Sequence, residues 1–419
     1  MIITPLVLLL LGFPIFIILL ATSAIVLLFF MNVPTSIMHQ VMFGSVDKFA
    51  LLAVPYFIFA GEVMSQGGIS RRLVEFTTAV FGGLRGNLAY ATVGTSEMMG
   101  AMSGSSPATV AAVGKLLYNP LIERGYGEKF TAGLICSSGA IAIIIPPSIS
   151  MILYGASAEQ SVAHLFVGGI FPGLLIGLLL AIYIYFYAHK NDISDADGFS
   201  WGRLWRTSKS AVWALGTPGI ILGGIYLGVF SPTEAAGMAG VYAVIVAMLV
   251  YRELDIAGLW RVAVASMYLT AQVTIIVAAA GVFSWLLTVS GVPQSIVALI
   301  QSLNMGQIEV LLVVNVLLLI VGALIDPASA ILILTPLLVP VMKAVDVNLI
   351  HFGIIMTVNL AIGMFTPPFG LNIFICQALF RVKLTVLYPG LVPFIIINII
   401  ALVLVTYVPW ISMYLTKFV

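Results

Sequence analysis

Charged side chains are scarce in this sequence. Its 419 residues include 17 Lys and Arg and 16 Asp and Glu, so that 8% are charged, against about 25% in an ordinary soluble domain. A soluble fold of this length needs polar residues over its water-facing surface, so the scarcity excludes a soluble enzyme. Basic clusters are missing too, and a net charge of +1 excludes a nucleic-acid partner.

Cysteine clusters and catalytic motifs are also missing. The two cysteines, Cys136 and Cys376, lie in separate apolar stretches, which excludes a disulfide framework or a Cys/His metal site and predicts two small buried side chains. The four histidines show no ligand spacing. Because the sequence holds no nucleotide-binding loop and no paired catalytic constellation, we expect neither an enzyme nor an ATP-driven pump.

Apolar residues make up 61% of the chain, and the mean hydropathy is +1.17. A helix needs about 20 apolar residues to cross the hydrocarbon core, so the long runs predict an all-α, polytopic protein of the lipid bilayer. These runs cover residues 2–31, 49–66, 130–157, 161–188, 211–229, 232–251, 263–288, 348–376 and 384–409. The first run lacks a basic leader and a cleavage site, so we expect it to stay in the mature chain, with Gly12–Pro14 dividing it into two helices.

Two further apolar stretches, 86–120 and 307–343, are each interrupted midway by a polar tip that contains proline. The tips are Ser103–Pro107 and Asp326–Pro327. A re-entrant helical hairpin, which enters the membrane, breaks and leaves on the same side, fits both stretches. The distribution of Lys and Arg supports this topology, since it places fourteen basic residues inside and leaves only Lys48, Lys343 and Lys417 outside. The first hairpin then opens to the cytoplasm and the second to the outside.

An internal repeat of about 220 residues connects these features. Ser106-Pro107-Ala108-Thr109 matches Asp326-Pro327-Ala328-Ser329 at an offset of 220, and Pro146-Pro147 matches Pro367-Pro368 at 221. We therefore predict two repeats, 1–205 and 206–419, each with one hairpin and one proline-broken helix, 130–157 or 348–376. Because the hairpins open to opposite sides, the repeats have inverted topology, which is typical of secondary transporters.

The four breaks predict two cation sites, because backbone freed from a helix and serine hydroxyls are the oxygen ligands that Na⁺ prefers. The first site combines a hairpin tip with its broken helix: Ser103, Ser105, Ser106, Gly139, Ile143 and Pro146. The second site combines the second hairpin tip with the second broken helix: Gly322, Asp326, Gly363, Met364 and Thr366. Two alternatives remain open at this point. The small residues could serve only close helix packing, and Asp326 could simply cap the helix 327–343.

An anionic substrate could bind at the same depth without a basic residue, because the helices that start at Pro107 and Pro327 point their positive ends there. The predicted substrate residues are Ser106, Thr109, Pro147, Ser148, Ser329, Pro367 and Pro368. Glu97, in the first hairpin, could face the other repeat or be protonated, whereas Glu62 and Glu234 are predicted to be interfacial. The segments 68–84 and 292–304 are predicted to be amphipathic arms that precede the hairpins.

Several motifs together resemble one known family over essentially the whole chain. They are Met102-Ser103-Gly104-Ser105-Ser106-Pro107-Ala108-Thr109-Val110-Ala111-Ala112, Pro146-Pro147-Ser148, Ser231-Pro232-Thr233-Glu234-Ala235-Ala236 and Thr366-Pro367-Pro368-Phe369-Gly370. They look like the large membrane subunit of tripartite ATP-independent periplasmic (TRAP) transporters, the DctM-like permease of the ion transporter superfamily.

The resemblance implies a subunit of the bacterial inner membrane that takes part in Na⁺-coupled uptake of an organic acid. It implies a periplasmic substrate-binding protein and a small four-helix membrane subunit as partners, and an elevator motion. The hairpins and broken helices would form the transport domain, and the remaining helices the scaffold. Dicarboxylates such as C4 acids, sulfonates, keto acids and sugar acids all remain possible substrates. The alternative is a self-sufficient H⁺- or Na⁺-coupled carrier or antiporter of the same superfamily.

Overall fold

The computed structural model describes residues 3–31, 33–193 and 198–419, and in these ranges it contains helices and no β-strand. This confirms the prediction of an all-α protein. Ile2, with which the first predicted apolar run begins, lies outside the described residues. The rest of that run forms two helices that separate at Gly12–Pro14, as predicted.

The N-terminal half contains ten α-helices among its described residues, the fourth of which follows a 3₁₀ turn at Phe49–Leu52. Their bounds are α1 Ile3–Leu10, α2 Ile15–Phe30, α3 Ser36–Val46, α4 Ala53–Gln66, α5 Ile69–Val80, α6 Asn87–Ser103, α7 Ser106–Glu123, α8 Glu128–Ala140, α9 Ile149–Ala158 and α10 Val162–Lys190. Helices α6 and α7 form the first predicted hairpin. Helices α8 and α9 are the two parts of the first broken helix, with Pro146 and Pro147 between them.

The C-terminal half contains α11 Trp201–Tyr226, α12 Pro232–Ile245, α13 Ile256–Val289, α14 Val292–Ser302, α15 Gln307–Gly322, α16 Pro327–Ala344, α17 Leu349–Gly363, α18 Leu371–Phe380, α19 Leu384–Tyr407 and α20 Trp410–Met413. Helices α15 and α16 form the second hairpin, and α17 and α18 the second broken helix. The predicted repeat boundary between residues 205 and 206 falls inside α11. Ser200 accepts a hydrogen bond from the backbone of Arg203, so the helix begins directly after Ser200.

Side-chain caps set where several of the long helices begin. Ser161, Ser200, Ser231 and Asp255 each accept a hydrogen bond from the backbone N–H three residues ahead. At α12 the Glu234 carboxylate also accepts from the backbone N–H of Ser231, at 2.8 Å, and completes a capping box. Such caps satisfy donors that have no partner inside the helix. Glu234 thus has a local structural function at the end of a helix.

Six helical segments within the described ranges are long and apolar enough to cross a membrane. They are Phe49–Gln66, Val162–Lys190, Pro232–Val250, Ile256–Val289, Pro327–Ala344 and Leu384–Tyr407. The segment Pro327–Ala344 is the second arm of the predicted re-entrant hairpin 307–343, so its length alone would also permit a full crossing. Large apolar side chains on these segments are exposed, for example Phe186 at 64% and Met267 at 73%. Such surfaces match lipid or another membrane protein.

The helices can be sorted into two groups, which touch along α4, α5, α13 and α14. One group, which we call the hairpin unit, consists of α6–α10 and α15–α20. The other, which we call the frame, consists of α1–α5 and α11–α14. The hairpin unit joins the two halves of the chain, because α7 packs on α18 and α16 packs on α9. Helices α10 and α19 were predicted from the sequence to be part of the scaffold. Here α10 packs on α17 and α19, and α19 packs on α8, so we count both with the hairpin unit.

We predict that Gly133→Ala destabilises the hairpin unit. A Cβ atom at Gly133 in α8 would overlap the carbonyl oxygen of Gly390 in α19, and backbone cannot move aside cheaply. Overpacking of this kind costs about 1–3 kcal/mol, so the melting temperature of the purified protein should fall. Gly237→Ala is the matched control, since its Cβ would meet nothing within 4 Å. Equal melting temperatures for the two variants would contradict the close packing of α8 on α19.

Candidate functional site

The tip of the first hairpin sits on the break between α8 and α9. Gly104 adopts a left-handed conformation with φ +57°, and a Cβ atom there would lie 2.5 Å from the carbonyl oxygen of Pro147. Ser148 caps α9 by accepting from the backbone N–H of Met151, and its hydroxyl donates to the carbonyl of Ile143. The predicted contact between this tip and its broken helix is therefore present. Its close backbone approach explains why glycine is needed there.

Serine and threonine side chains of the first tip bond mainly to backbone groups of the same hairpin. The Ser103 hydroxyl accepts from the backbone N–H of Ser105 at 3.3 Å, and the Thr109 hydroxyl donates to the carbonyl of Ser105 at 2.9 Å. Ser106 differs, because its hydroxyl bonds to the amide of Asn372 in α18, 266 residues away. Asn372 also donates to the carbonyl of Cys136. Ser106 thus links the first hairpin to both broken helices.

The tip of the second hairpin sits on the break between α17 and α18. A Cβ atom at Gly363 would overlap the backbone of Gly322, so the two helix ends touch through their main chains. The backbone N–H of Phe369 donates to the carbonyl of Ala323 at 3.2 Å. Thr366 bonds within its own turn, to the carbonyl of Ile362. This second contact between tip and broken helix was also predicted.

Asp326 caps α16, as one of the sequence alternatives proposed. One carboxylate oxygen accepts from the backbone N–H of Ser329 at 3.0 Å, and the other accepts from the Ser329 hydroxyl at 2.5 Å. The cap accounts for the position of the carboxylate, which also lines a cavity. That Asp326 is also a Na⁺ ligand stays a prediction.

Both hairpin tips line one cavity of about 470 Å³ between the hairpin unit and the frame, which we call the central cavity. On the hairpin side it is lined by Ser103, Ser105, Ala108, Ile149, Asp326, Ala328 and Ser329. On the frame side it is lined by Pro14, Ile15, Phe16, Ile58, Gly61, Glu62, Leu269, Gln272, Val273, Ile275 and Ile276. The two tips, 220 residues apart in sequence, are therefore brought together as the repeat suggested.

Several predicted substrate residues do not line the central cavity. Ser106, Thr109 and Ser148 are buried within the hairpin unit, and Pro147 faces Gly104. Pro367 and Pro368 lie at the second break, where the carbonyl of Pro368 accepts from the Tyr388 hydroxyl. Of the substrate residues predicted from the sequence, Ser329 alone lines this cavity. The others lie in the first hairpin or at the two breaks, away from the cavity lining.

Glu62 is a cavity residue that the sequence analysis missed. It was predicted to be interfacial, because it lies near the end of an apolar run, but α4 presents it to the central cavity opposite the tips. The available signal was a carboxylate inside an apolar stretch, which is a functional candidate by default. Gln272, on α13, carried no prediction and lines the same wall.

Glu97 does not line the central cavity. Its carboxylate contacts Gly177 of α10 and lines a separate apolar cavity of about 190 Å³ with Phe81 and Leu178. Of the two alternatives stated for Glu97, a position facing the other repeat is therefore wrong, since α10 belongs to the same half of the chain. Cys136 and Cys376 are buried as predicted, and they lie next to each other between α8 and α18.

Comparisons with known proteins agree on one family. A family profile described as "Tripartite ATP-independent periplasmic transporter, DctM component" matches residues 2–411. The chain is 41% identical to the ectoine/5-hydroxyectoine TRAP transporter large permease protein UehC of Ruegeria pomeroyi, over 98% of this chain and 97% of that protein. It is also 41% identical to the C4-dicarboxylate TRAP transporter large permease protein DctM of Pseudomonas aeruginosa, over 89% and 87%.

A third relative is longer than this chain. The isethionate TRAP transporter permease protein DctMQ of Oleidesulfovibrio alaskensis is 41% identical over 91% of this chain, which spans only 60% of that protein. Among solved structures, the Alcanivorax borkumensis YdaH transporter superposes with a TM-score of 0.59, at 15% identity, over 98% of this chain and 99% of that one. At this identity the superposition supports the fold alone.

We predict that Asp326→Ala destabilises the protein by about 1 kcal/mol through loss of the helix cap, whereas Asp326→Asn keeps the cap and nearly all of the stability. Thermal unfolding of the two purified variants checks this. Equal loss of stability in both variants would mean that the negative charge of Asp326, rather than its hydrogen bonds to Ser329, stabilises the second tip.

Proposed function

Because this chain belongs to the family of DctM components of TRAP transporters, we propose that it is the permease subunit of a Na⁺-coupled importer of an organic acid. Membership of the family makes it a multi-pass protein of the bacterial inner membrane and a transporter permease. The observation that carries the proposal is the central cavity, where both hairpin tips face one wall of the frame. A substrate bound there would touch two broken segments and the frame at once.

Cation binding at the tips is supported by their chemistry. Each tip packs on a broken helix, so backbone carbonyl groups of the break lie near serine hydroxyls or the Asp326 carboxylate. A small cation loses its hydration shell only where several oxygens replace it. We assign one Na⁺ to the first tip, with Ser103, Ser105, Ser106, Gly139, Ile143 and Pro146, and one to the second, with Gly322, Asp326, Gly363, Met364 and Thr366.

The carboxylate of the acid would be held by helix ends. Helices α7, α9 and α16 begin at Ser106, Ile149 and Pro327, next to the central cavity. The first turn of a helix offers backbone N–H groups and a partial positive charge to an anion. The hairpin unit can therefore bind a carboxylate without a basic side chain.

Partners and mechanism follow from the family. We propose that a periplasmic substrate-binding protein delivers the acid, and that a small membrane subunit binds to the frame. The relatives are named for ectoine, C4-dicarboxylates and isethionate, so the family alone leaves the acid open. We also propose that the hairpin unit, including α10 and α19, moves as an elevator along the frame. Uptake that requires no binding protein would favour a self-sufficient carrier instead.

We predict that Ser105→Ala combined with Asp326→Ala abolishes Na⁺-dependent uptake, because each tip loses one cation ligand. The measurement is uptake of a radiolabelled acid panel into proteoliposomes that contain the chain, its small subunit and its binding protein. Ser295→Ala with Glu75→Ala, both outside the central cavity, is the matched control and should transport normally. Wild-type uptake by the Ser105/Asp326 variant would remove the tips as cation sites.

We predict that cross-linking Lys48 to α9 stops transport. The Lys48 ammonium group, in the frame, donates to the carbonyl of Ala156 in the hairpin unit at 2.8 Å, so an elevator motion must break this contact. In a chain without native cysteines, Lys48→Cys with Ala156→Cys is treated with a bifunctional thiol reagent and should lose uptake. Ser45→Cys with Gly281→Cys is the control pair, because both positions lie in the frame and touch. Unchanged uptake in the cross-linked Lys48/Ala156 pair would contradict the motion.

A further inference from the structure

The central cavity has an unusual charge for a site that binds acids. Its lining contains two carboxylates, Glu62 and Asp326, one amide, Gln272, and serine hydroxyls. Among the described residues that line it, there is no Lys, Arg or His. A substrate with two negative charges would therefore bring like charges together in an apolar surrounding, where such repulsion is strong.

The two walls of the cavity carry opposite polarity. On the hairpin wall, three helices begin next to the cavity, and the Asp326 carboxylate already accepts from the backbone N–H and the hydroxyl of Ser329. On the frame wall, Glu62 makes no hydrogen bond and no ion pair with any residue in the described part of the chain. This carboxylate lies opposite the tips, and it is only partly exposed.

We propose that the transported acid also carries a positively charged nitrogen, and that Glu62 is the specificity residue that binds it. The substrate would then lie across the cavity with its carboxylate at the helix N-termini and its cationic group at Glu62, where a charge-assisted hydrogen bond forms. The proposal rests on the proposed function, since it concerns the same cavity.

The apolar part of the lining limits what connects the two charged ends. Phe16, Ile58 and Ile276 lie on the frame wall and suit methylene groups or a small ring. A cavity of about 470 Å³ holds a small molecule of this kind. The substrate class is thus a small zwitterion of net charge near zero: an amino acid, a betaine or an acid that bears an amidinium group.

The Na⁺ sites proposed above leave this assignment intact. They lie on the hairpin side, where Ser103, Ser105 and Asp326 also line the cavity, whereas Glu62 belongs to α4 on the opposite wall. A cation at the second tip would neutralise Asp326 and leave Glu62 as the free negative charge of the cavity.

Binding of paired acids tests the proposal. The chain is purified with its small subunit in lipid nanodiscs, and binding in NaCl is measured by calorimetry. One set of ligands is 4-aminobutanoate, butanoate and succinate, and the other is proline and cyclopentanecarboxylate. Wild-type protein should bind the nitrogen-bearing member of a pair at least about tenfold more tightly, a ratio equal to about 1.4 kcal/mol. Glu62→Gln should lose this preference, and Glu62→Asp should keep it.

The matched control is Glu75→Gln, which removes one carboxylate from the exposed side of α5 and should keep the wild-type preference. Tighter binding of succinate or butanoate by the wild type would overturn the inference and leave the proposed function standing. A Glu62→Gln variant that needs more Na⁺ but keeps its preference for the zwitterion would overturn it too, by making Glu62 a Na⁺ ligand. Failure of every acid to bind or to be taken up would overturn the proposed function and the inference together.

Discussion

The close contact between a hairpin tip and a broken helix is the constraint on which the rest of the structure depends. A helix that breaks at membrane depth leaves backbone groups that lipid cannot satisfy, so another protein segment must cover them. In this protein the backbone of each hairpin tip covers the broken helix. Gly104 approaches the carbonyl of Pro147, and Gly322 meets Gly363 with no side chain between them. Polar groups can therefore gather at the tips because packing has already excluded lipid from them.

These contacts tie the two halves of the chain into one unit. Helix α7 of the first half packs on α18 of the second, and α16 of the second packs on α9 of the first. Asn372 fixes this crossing, since its amide bonds to Ser106 and to the carbonyl of Cys136. A buried amide that satisfies partners on two other segments specifies one arrangement among many apolar ones. The two halves of the chain therefore share one packed group of helices.

Few charges remain in the membrane part of the molecule, and their positions mark where the two groups of helices meet. Lys48 bonds across the boundary to the end of α9, while Glu62 and Asp326 face the same cavity from its two sides. By contrast, Arg71 and Arg72 pair with Glu253 away from that boundary. Since an unpaired charge in an apolar surrounding is costly, Glu62, which has no partner among the described residues, points to binding rather than to stability.

Hydropathy and the breaking residues determined the local structure on their own. The apolar runs, the tips at Ser103–Pro107 and Asp326–Pro327, and the proline pairs predicted helices, hairpins and breaks, because each depends on residues close together in the chain. Only the tertiary structure decided that Glu62 faces the cavity, that Ser106 bonds to Asn372, and that α10 and α19 join the hairpin unit. The physical reason is that lipid and protein interior are both apolar. The sequence of a hydrophobic helix face does not indicate whether that face contacts lipid or protein. Only the three-dimensional packing determines this.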